Sequence, residues 1–118
     1  MIVEITTIKA LNLYAGVGGN RKDWPESVQV TAVESNPKIA TVYERLYPSD
    51  TLIVGDAHEY LLGHSDDFDF VWSSPPCQSH TRMMKFTRHK HLRKYPDLRL
   101  YEEILFLDNF FKGKWVVE

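Results

Sequence analysis

Residues 8–19, Ile8-Lys9-Ala10-Leu11-Asn12-Leu13-Tyr14-Ala15-Gly16-Val17-Gly18-Gly19, decide how the rest of the chain is read. The apolar run to Tyr14 reads as a short strand, and three glycines follow within the four positions 16–19. Glycines packed this closely at a strand end let the chain turn tightly and leave backbone N–H groups free beside a ligand, without naming that ligand. A second apolar run, Val28 to Val33, ends in Glu34, 18 residues after Gly16. That is near the spacing at which a carboxylate meets the two ribose hydroxyls of a nucleoside. A third run, Thr51 to Val54, ends in Gly55-Asp56, so a strand followed by an acid occurs twice. Taken singly, the glycines read as an ordinary turn and each acid as a solvent-facing cap; it is their order along the chain that makes them a site.

Further along, Phe68-Asp69-Phe70-Val71-Trp72 leads through Ser73 into Ser74-Pro75-Pro76-Cys77-Gln78, which holds the chain's one cysteine. A single cysteine excludes an internal disulfide. A lone thiol is most often a small buried hydrophobe. Two stiffening prolines just past a strand end favour a presented nucleophile instead. A zinc reading competes, because Cys77 and His80 have ligand-like spacing and His89 and His91 lie nearby, but a thiol closed into a structural site cannot also serve as a free nucleophile. The formal charge of -2 hides an asymmetry: residues 78–96 carry Arg82, Lys85, Arg88, Lys90, Arg93 and Lys94 and no acid. Alone, such a run reads as a solvated face; beside a presented thiol it reads as a phosphate-contacting loop.

Length and composition set the outer bounds. A chain of 118 residues with 43% hydrophobic content supports one globular domain and leaves no room for a second. No apolar stretch approaches the roughly 20 residues of a membrane span. Met1-Ile2-Val3-Glu4 lacks the basic lead of a secretion signal. The expectation is a cytoplasmic protein with no membrane partner.

These segments together resemble the C5-type cytosine-specific DNA methyltransferases, over nearly the whole chain. Asn12 to Gly19 resembles the family's S-adenosylmethionine loop, with Tyr14 where phenylalanine is usual and Asn12 where an acid is usual. Pro75-Pro76-Cys77-Gln78 resembles its catalytic motif, preceded here by Ser73-Ser74 in place of the common Gly-Gly or Ala-Gly. The resemblance implies S-adenosyl-L-methionine as cofactor, with Glu34 on the ribose and Asp56 on the adenine. Tyr14, Ala15, Gly16, Gly18, Gly19, Ser35, Ala57, Pro75 and Leu100 complete that site. It implies Cys77 as the nucleophile that adds to cytosine C6, and Glu118, ending Trp115-Val116-Val117-Glu118, as the group that grips the target base. Pro76, Gln78, Ser79, Arg82, Lys85 and Arg88 become the nucleic-acid contacts, with no metal. A bacterial, archaeal or phage origin and a place in restriction-modification follow from the same likeness. DNA is the expected substrate. The alternatives are transfer RNA, which one branch resembling this family modifies, and a non-catalytic cofactor- or nucleic-acid-binding fragment.

The alternation of patterns predicts strands near 7–14, 29–34, 51–54, 68–73 and 114–118, and helices near 19–24, 37–46, 57–62 and 99–111. Asn36 caps the second helix and Pro37 fits its first position. The fold class is α/β, a parallel sheet with crossover helices on both faces. The resemblance adds the Rossmann-like, three-layer α/β/α methyltransferase fold with sheet order 3-2-1-4-5, truncated relative to the family. Residues 1–118 are thus expected to be a single partial catalytic domain without the target recognition domain and C-terminal motifs. A second polypeptide or a homodimer contact is expected to cover the edge at 114–118.

Overall fold

The computed structural model describes residues 7–75 and 94–118. Five strands, β1 (Ile8–Leu13), β2 (Val28–Glu34), β3 (Thr51–Val54), β4 (Phe70–Ser73) and β5 (Lys114–Val117), form one parallel sheet in the order β3-β2-β1-β4-β5. Three α-helices connect them: α1 (Pro37–Leu46), α2 (Ala57–His64) and α3 (Lys94–Phe110). β1 lies between β2 and β4, with Leu13 beside Val33 on one side and Ser73 on the other. The carboxyl ends of the central strands therefore finish level with one another, on both sides of the point where strand order reverses.

Burial on both faces explains the apolar strands. On one face Leu11, Leu13, Val33 and Val71 pack against Ala57 and Leu61 of α2 and Leu107 of α3. On the other, Ala32 and Ala15 pack against Tyr43 of α1. Beyond α1 on that second face, the Trp24 ring packs on Phe70 and Trp72 at 6.2 and 6.1 Å between centroids. α1 begins as its sequence dictates: the Asn36 side chain accepts the Lys38 and Ile39 N–H groups at 2.9 and 3.4 Å, and Pro37 occupies the first turn.

Three boundaries differ from expectation. The helix expected near 19–24 is a single 3-10 turn, Gly19–Arg21, because glycine and asparagine favour turns and Pro25 keeps Trp24 out of helical geometry. β4 starts at Phe70, after a 3-10 turn at Ser65–Asp67; Asp69 instead ties the strand entrance to β1, accepting the Lys9 N–H on its side chain and donating its own N–H to the Lys9 carbonyl. α3 starts at Lys94 rather than near 99. Pro96 does not prevent this, since the first N–H groups of a helix have no partner within it.

The last helix buries only some of its apolar residues, and one acid with them. Leu105 and Phe110 are 59% and 71% exposed, whereas Glu103 is 1% exposed and Leu107 fully buried. β5 closes one side of the sheet and pairs only with β4 among the described residues. No helix among the described residues is long and apolar enough to cross a membrane.

Candidate active site

The chain leaving β1 is held in an uncommon backbone conformation. Tyr14 has φ 56°, Gly16 φ 60° and Gly18 φ 89°. Left-handed geometry is unremarkable for glycine, but at a tyrosine it is a local strain that the surroundings must hold. Here the Ala15 N–H donates to the Val33 carbonyl at 3.0 Å, and the Tyr14 hydroxyl donates to Glu103 at 3.4 Å. Gly18 packs against Tyr47: a β-carbon there would strike the Tyr47 ring, whose hydroxyl donates to the Gly18 carbonyl at 3.0 Å. Behind it the Arg21 guanidinium pairs with Asp50 through two bonds of 2.9 and 3.0 Å, and Tyr43 donates to the same carboxylate at 2.6 Å. The glycine loop is thus anchored to α1 and the turn before β3.

This anchoring aims the strand-end acids. Glu34 accepts the Gly16 N–H at 2.9 Å on one oxygen and the Asn36 N–H at 2.8 Å on the other. A carboxylate offers about four lone-pair directions, so a pinned Glu34 still has acceptor capacity for a pair of hydroxyls. Asp56 caps α2 by accepting the Glu59 N–H at 3.0 Å, and Arg99 donates to both of its oxygens at 2.7 and 3.0 Å. Burial alone would push the Asp56 carboxyl up. The Glu59 N–H and the Arg99 guanidinium outweigh it and hold Asp56 below its ordinary value.

A cavity of about 600 Å³ opens over the carboxyl ends of the strands, a volume suited to a small-molecule cofactor. Tyr14, Glu34, Ser35, Asp56, Ala57, Pro75 and Leu100, all expected at one site, line it together. Ala15, Gly16, Gly18 and Gly19 do not line it and shape the loop behind it instead. Glu118 sits beside the same opening: its N–H donates to the Ser73 carbonyl at 2.9 Å, and its carboxylate accepts the Ser74 hydroxyl at 3.3 Å. Pro76, Cys77, Gln78, Ser79, Arg82, Lys85 and Arg88 lie outside the described residues, as do His80, His89 and His91.

Four polar residues that line or flank the cavity were not among the expected site residues: Ser73, Ser74, Arg99 and Glu103. The two serines ahead of the prolines are hydrogen-bonding groups rather than neutral spacers. Ser73 donates to Glu103 at 3.0 Å, while Ser74 accepts from the Trp72 indole at 2.9 Å and donates to Glu118. Burial pushes the Glu103 carboxyl up, against the opposing pull of the Ser73 hydroxyl and of His58. Burial likewise pushes the Tyr14 phenol up, with Glu103 adding to it. A usable signal for Glu103 existed: it stands three residues after Leu100 and four before Leu107, at the spacing of a buried helix stripe.

No family model matches the chain. Among curated proteins it is similar to the tRNA (cytosine(38)-C(5))-methyltransferases of Bos taurus and Homo sapiens, each 33% identical over 82 residues, covering 64% of this chain and 21% of the relative. The Spodoptera frugiperda protein of the same name is 32% identical over 84 residues, covering 66% and 25%. The chain therefore spans about a quarter or less of the length of these relatives. These relatives overturn the expectations of a DNA methyltransferase, of DNA as partner and of a place in DNA methylation and restriction-modification. The basic run at 78–96 carries no mark in its sequence that separates one polyanion from another.

Solved structures agree on architecture across wider distances. An S-adenosylmethionine-dependent methyltransferase from Agrobacterium tumefaciens superposes with a TM-score of 0.54 at 18% identity, over 61% of this chain and 27% of that one. The plantazolicin methyltransferase BamL gives 0.52 at 14%, over 83% and 33%. The [4+2]-cyclase SpnF also gives 0.52, at 18% over 83% and 34%, so the architecture alone does not dictate the reaction. With its parallel sheet in the order 3-2-1-4-5 between helical layers, the chain has the Rossmann-like, three-layer α/β/α fold of S-adenosylmethionine-dependent methyltransferases.

Proposed function

We propose that this chain is the cofactor-binding and nucleophile-bearing part of an enzyme that methylates C5 of cytosine in transfer RNA, using S-adenosyl-L-methionine. The observation that carries the reading is the convergence of Tyr14, Glu34, Asp56, Pro75 and Leu100 on one cavity at the strand-order reversal, in a chain whose relatives bear that activity in their names. Glu34 is the acceptor for the ribose hydroxyls, and Asp56 for the adenine amino group, which then competes with Arg99. The cofactor supplies an electrophilic methyl group on a positively charged sulfur.

Cytosine C5 is a weak nucleophile, and the proposed role of Cys77 is to change that. Addition of its thiolate to C6 raises electron density at C5. After methyl transfer, loss of the C5 proton and expulsion of the thiolate restore both the aromatic ring and the enzyme. Glu118 faces the N3 and amino edge of the base and stabilises the addition product. Its link through Ser74 to Trp72 fixes its carboxylate beside the strand that leads to Cys77.

A transfer RNA carrying 5-fluorocytosine tests this directly, because fluorine blocks the final C5 deprotonation. With cofactor present, a denaturant-stable protein–RNA adduct is expected, lost in Cys77→Ser. An adduct of equal yield in Cys77→Ser, or methyl transfer to another atom of the RNA, would overturn the reading.

A further inference from the structure

Glu103 lines the same cavity as Glu34 and Asp56, yet neither the ribose nor the adenine assignment uses it. Its carboxyl is almost wholly buried, one oxygen accepting the Ser73 hydroxyl at 3.0 Å and the other the Tyr14 hydroxyl at 3.4 Å. Both donors are neutral. The nearest basic groups pull its carboxyl down only in part and pair elsewhere: Arg99, one helical turn before it on α3, is bound to Asp56, and His58 of α2 places its Nε2 3.4 Å from Glu102. Among the described residues Glu103 takes part in no ion pair. A buried carboxyl on a cavity wall with no direct ion-pair partner is only partly compensated, since burial still outweighs the basic groups around it, and a cation entering the cavity completes it.

The position of Glu103 narrows which cation that is. Through Ser73 it is fastened to the end of β4, whose continuation Ser74-Pro75 borders the cavity on the way to Cys77; through Tyr14 it is fastened to the loop leaving β1. A methyl group delivered to a base held at the β4 end must face that side, and so must the charged sulfur that carries it. We propose that Glu103 is the counter-charge to the cofactor sulfonium, biasing the pocket toward the cationic methyl donor over the neutral-sulfur product. The inference rests on the cofactor reading above and adds to it a residue that sets ligand preference. A carboxyl that burial pushes up is neutral or charged according to its neighbour, so the charged ligand draws out the charged form and the product does not.

The test compares three ligands that differ at one position: S-adenosylmethionine, S-adenosylhomocysteine, and sinefungin, which carries an ammonium in place of the methylsulfonium. All three keep the adenosine and the α-amino acid. Titration calorimetry on the full chain is expected to show the two cationic ligands bound about tenfold more tightly than the neutral one, a preference of about one pKa unit's worth of charge interaction. In Glu103→Gln, which keeps an acceptor for Ser73 and Tyr14, both cationic ligands are expected to weaken about tenfold while S-adenosylhomocysteine stays within about twofold. Glu103→Asp, which keeps the charge on a shorter arm, is expected to retain part of the preference. Equal weakening of all three ligands in Glu103→Gln would make the residue a structural strut and overturn the proposal. So would a cation preference surviving in that variant. If the wild-type chain binds none of the three, the cofactor reading itself falls, which is distinct from a chain that binds all three without regard to charge.

Discussion

A glycine and an acid give opposite lessons at the scale of single residues. Gly16 and Gly18 look alike in sequence, and both have left-handed backbone, but only at Gly18 does a neighbouring ring, that of Tyr47, occupy the space of a β-carbon. Gly16→Ala therefore has only the backbone penalty, about 1–2 kcal/mol. Gly18→Ala adds displacement of the Tyr47 ring and its hydrogen bond to the Gly18 carbonyl, a further cost of about 1 kcal/mol or more. Urea denaturation of the two variants is expected to rank Gly18→Ala clearly below Gly16→Ala; equal midpoints would mean that Tyr47 moves aside freely. Glu103 is the converse case, an acid that the fold buries. Ser73 and Ser74 make its setting polar, one bonded to Glu103 and the other to Glu118, where the small residues usual at these positions offer no hydroxyl.

The elements differ in how far each is specified locally. α1 carries its own start in Asn36 and Pro37, and the structure begins it at Pro37. α3 is apolar on several sides, and which side is buried depends on where the sheet lies. The structure selects Leu107 and leaves Leu105 59% exposed. Leu107→Ala is accordingly expected to cost about 2–5 kcal/mol through the cavity it leaves. Leu105→Ala is expected to stay within about 0.5 kcal/mol of wild type. Thermal unfolding of the pair checks the orientation of the helix: comparable losses would place Leu105, not solvent, against the sheet.

For the whole molecule, two acids on one cavity pull the pH dependence of stability in opposite directions. Asp56, held down by the Glu59 N–H and Arg99 against the effect of burial, contributes stability above its unfolded value and loses it as pH falls through its folded value. Glu103, pushed up by burial, is best tolerated below its unfolded value of about 4.3, and its contribution is lost as pH rises through its folded value. Relative to wild type, Glu103→Gln is expected to gain stability as pH rises from about 4 toward neutrality, whereas Asp56→Asn is expected to lose it as pH rises through the acidic range. Urea midpoints for both variants across that range check the signs. A gap between Glu103→Gln and wild type that does not change with pH would mean that Glu103 has the same proton affinity folded and unfolded.

By itself the sequence determined the strands, the turns after them and the acids at their ends, because each of these is written in a few adjacent residues: an apolar run, three glycines, a carboxylate at a strand end. The strand order was reached only by resemblance, and the sheet bears it out. Only the tertiary structure decided that Glu34, Asp56, Pro75 and Leu100 share one cavity, that Arg99 occupies Asp56, that residues 19–21 form no more than one 3-10 turn, and that Glu103 points inward. These depend on which surfaces meet across 30 to 89 residues of chain, as Ser73, Arg99 and Tyr14 show. Burial and charge pairing are properties of such meetings, so a local pattern carries them only as a spacing whose meaning appears once the sheet is assembled.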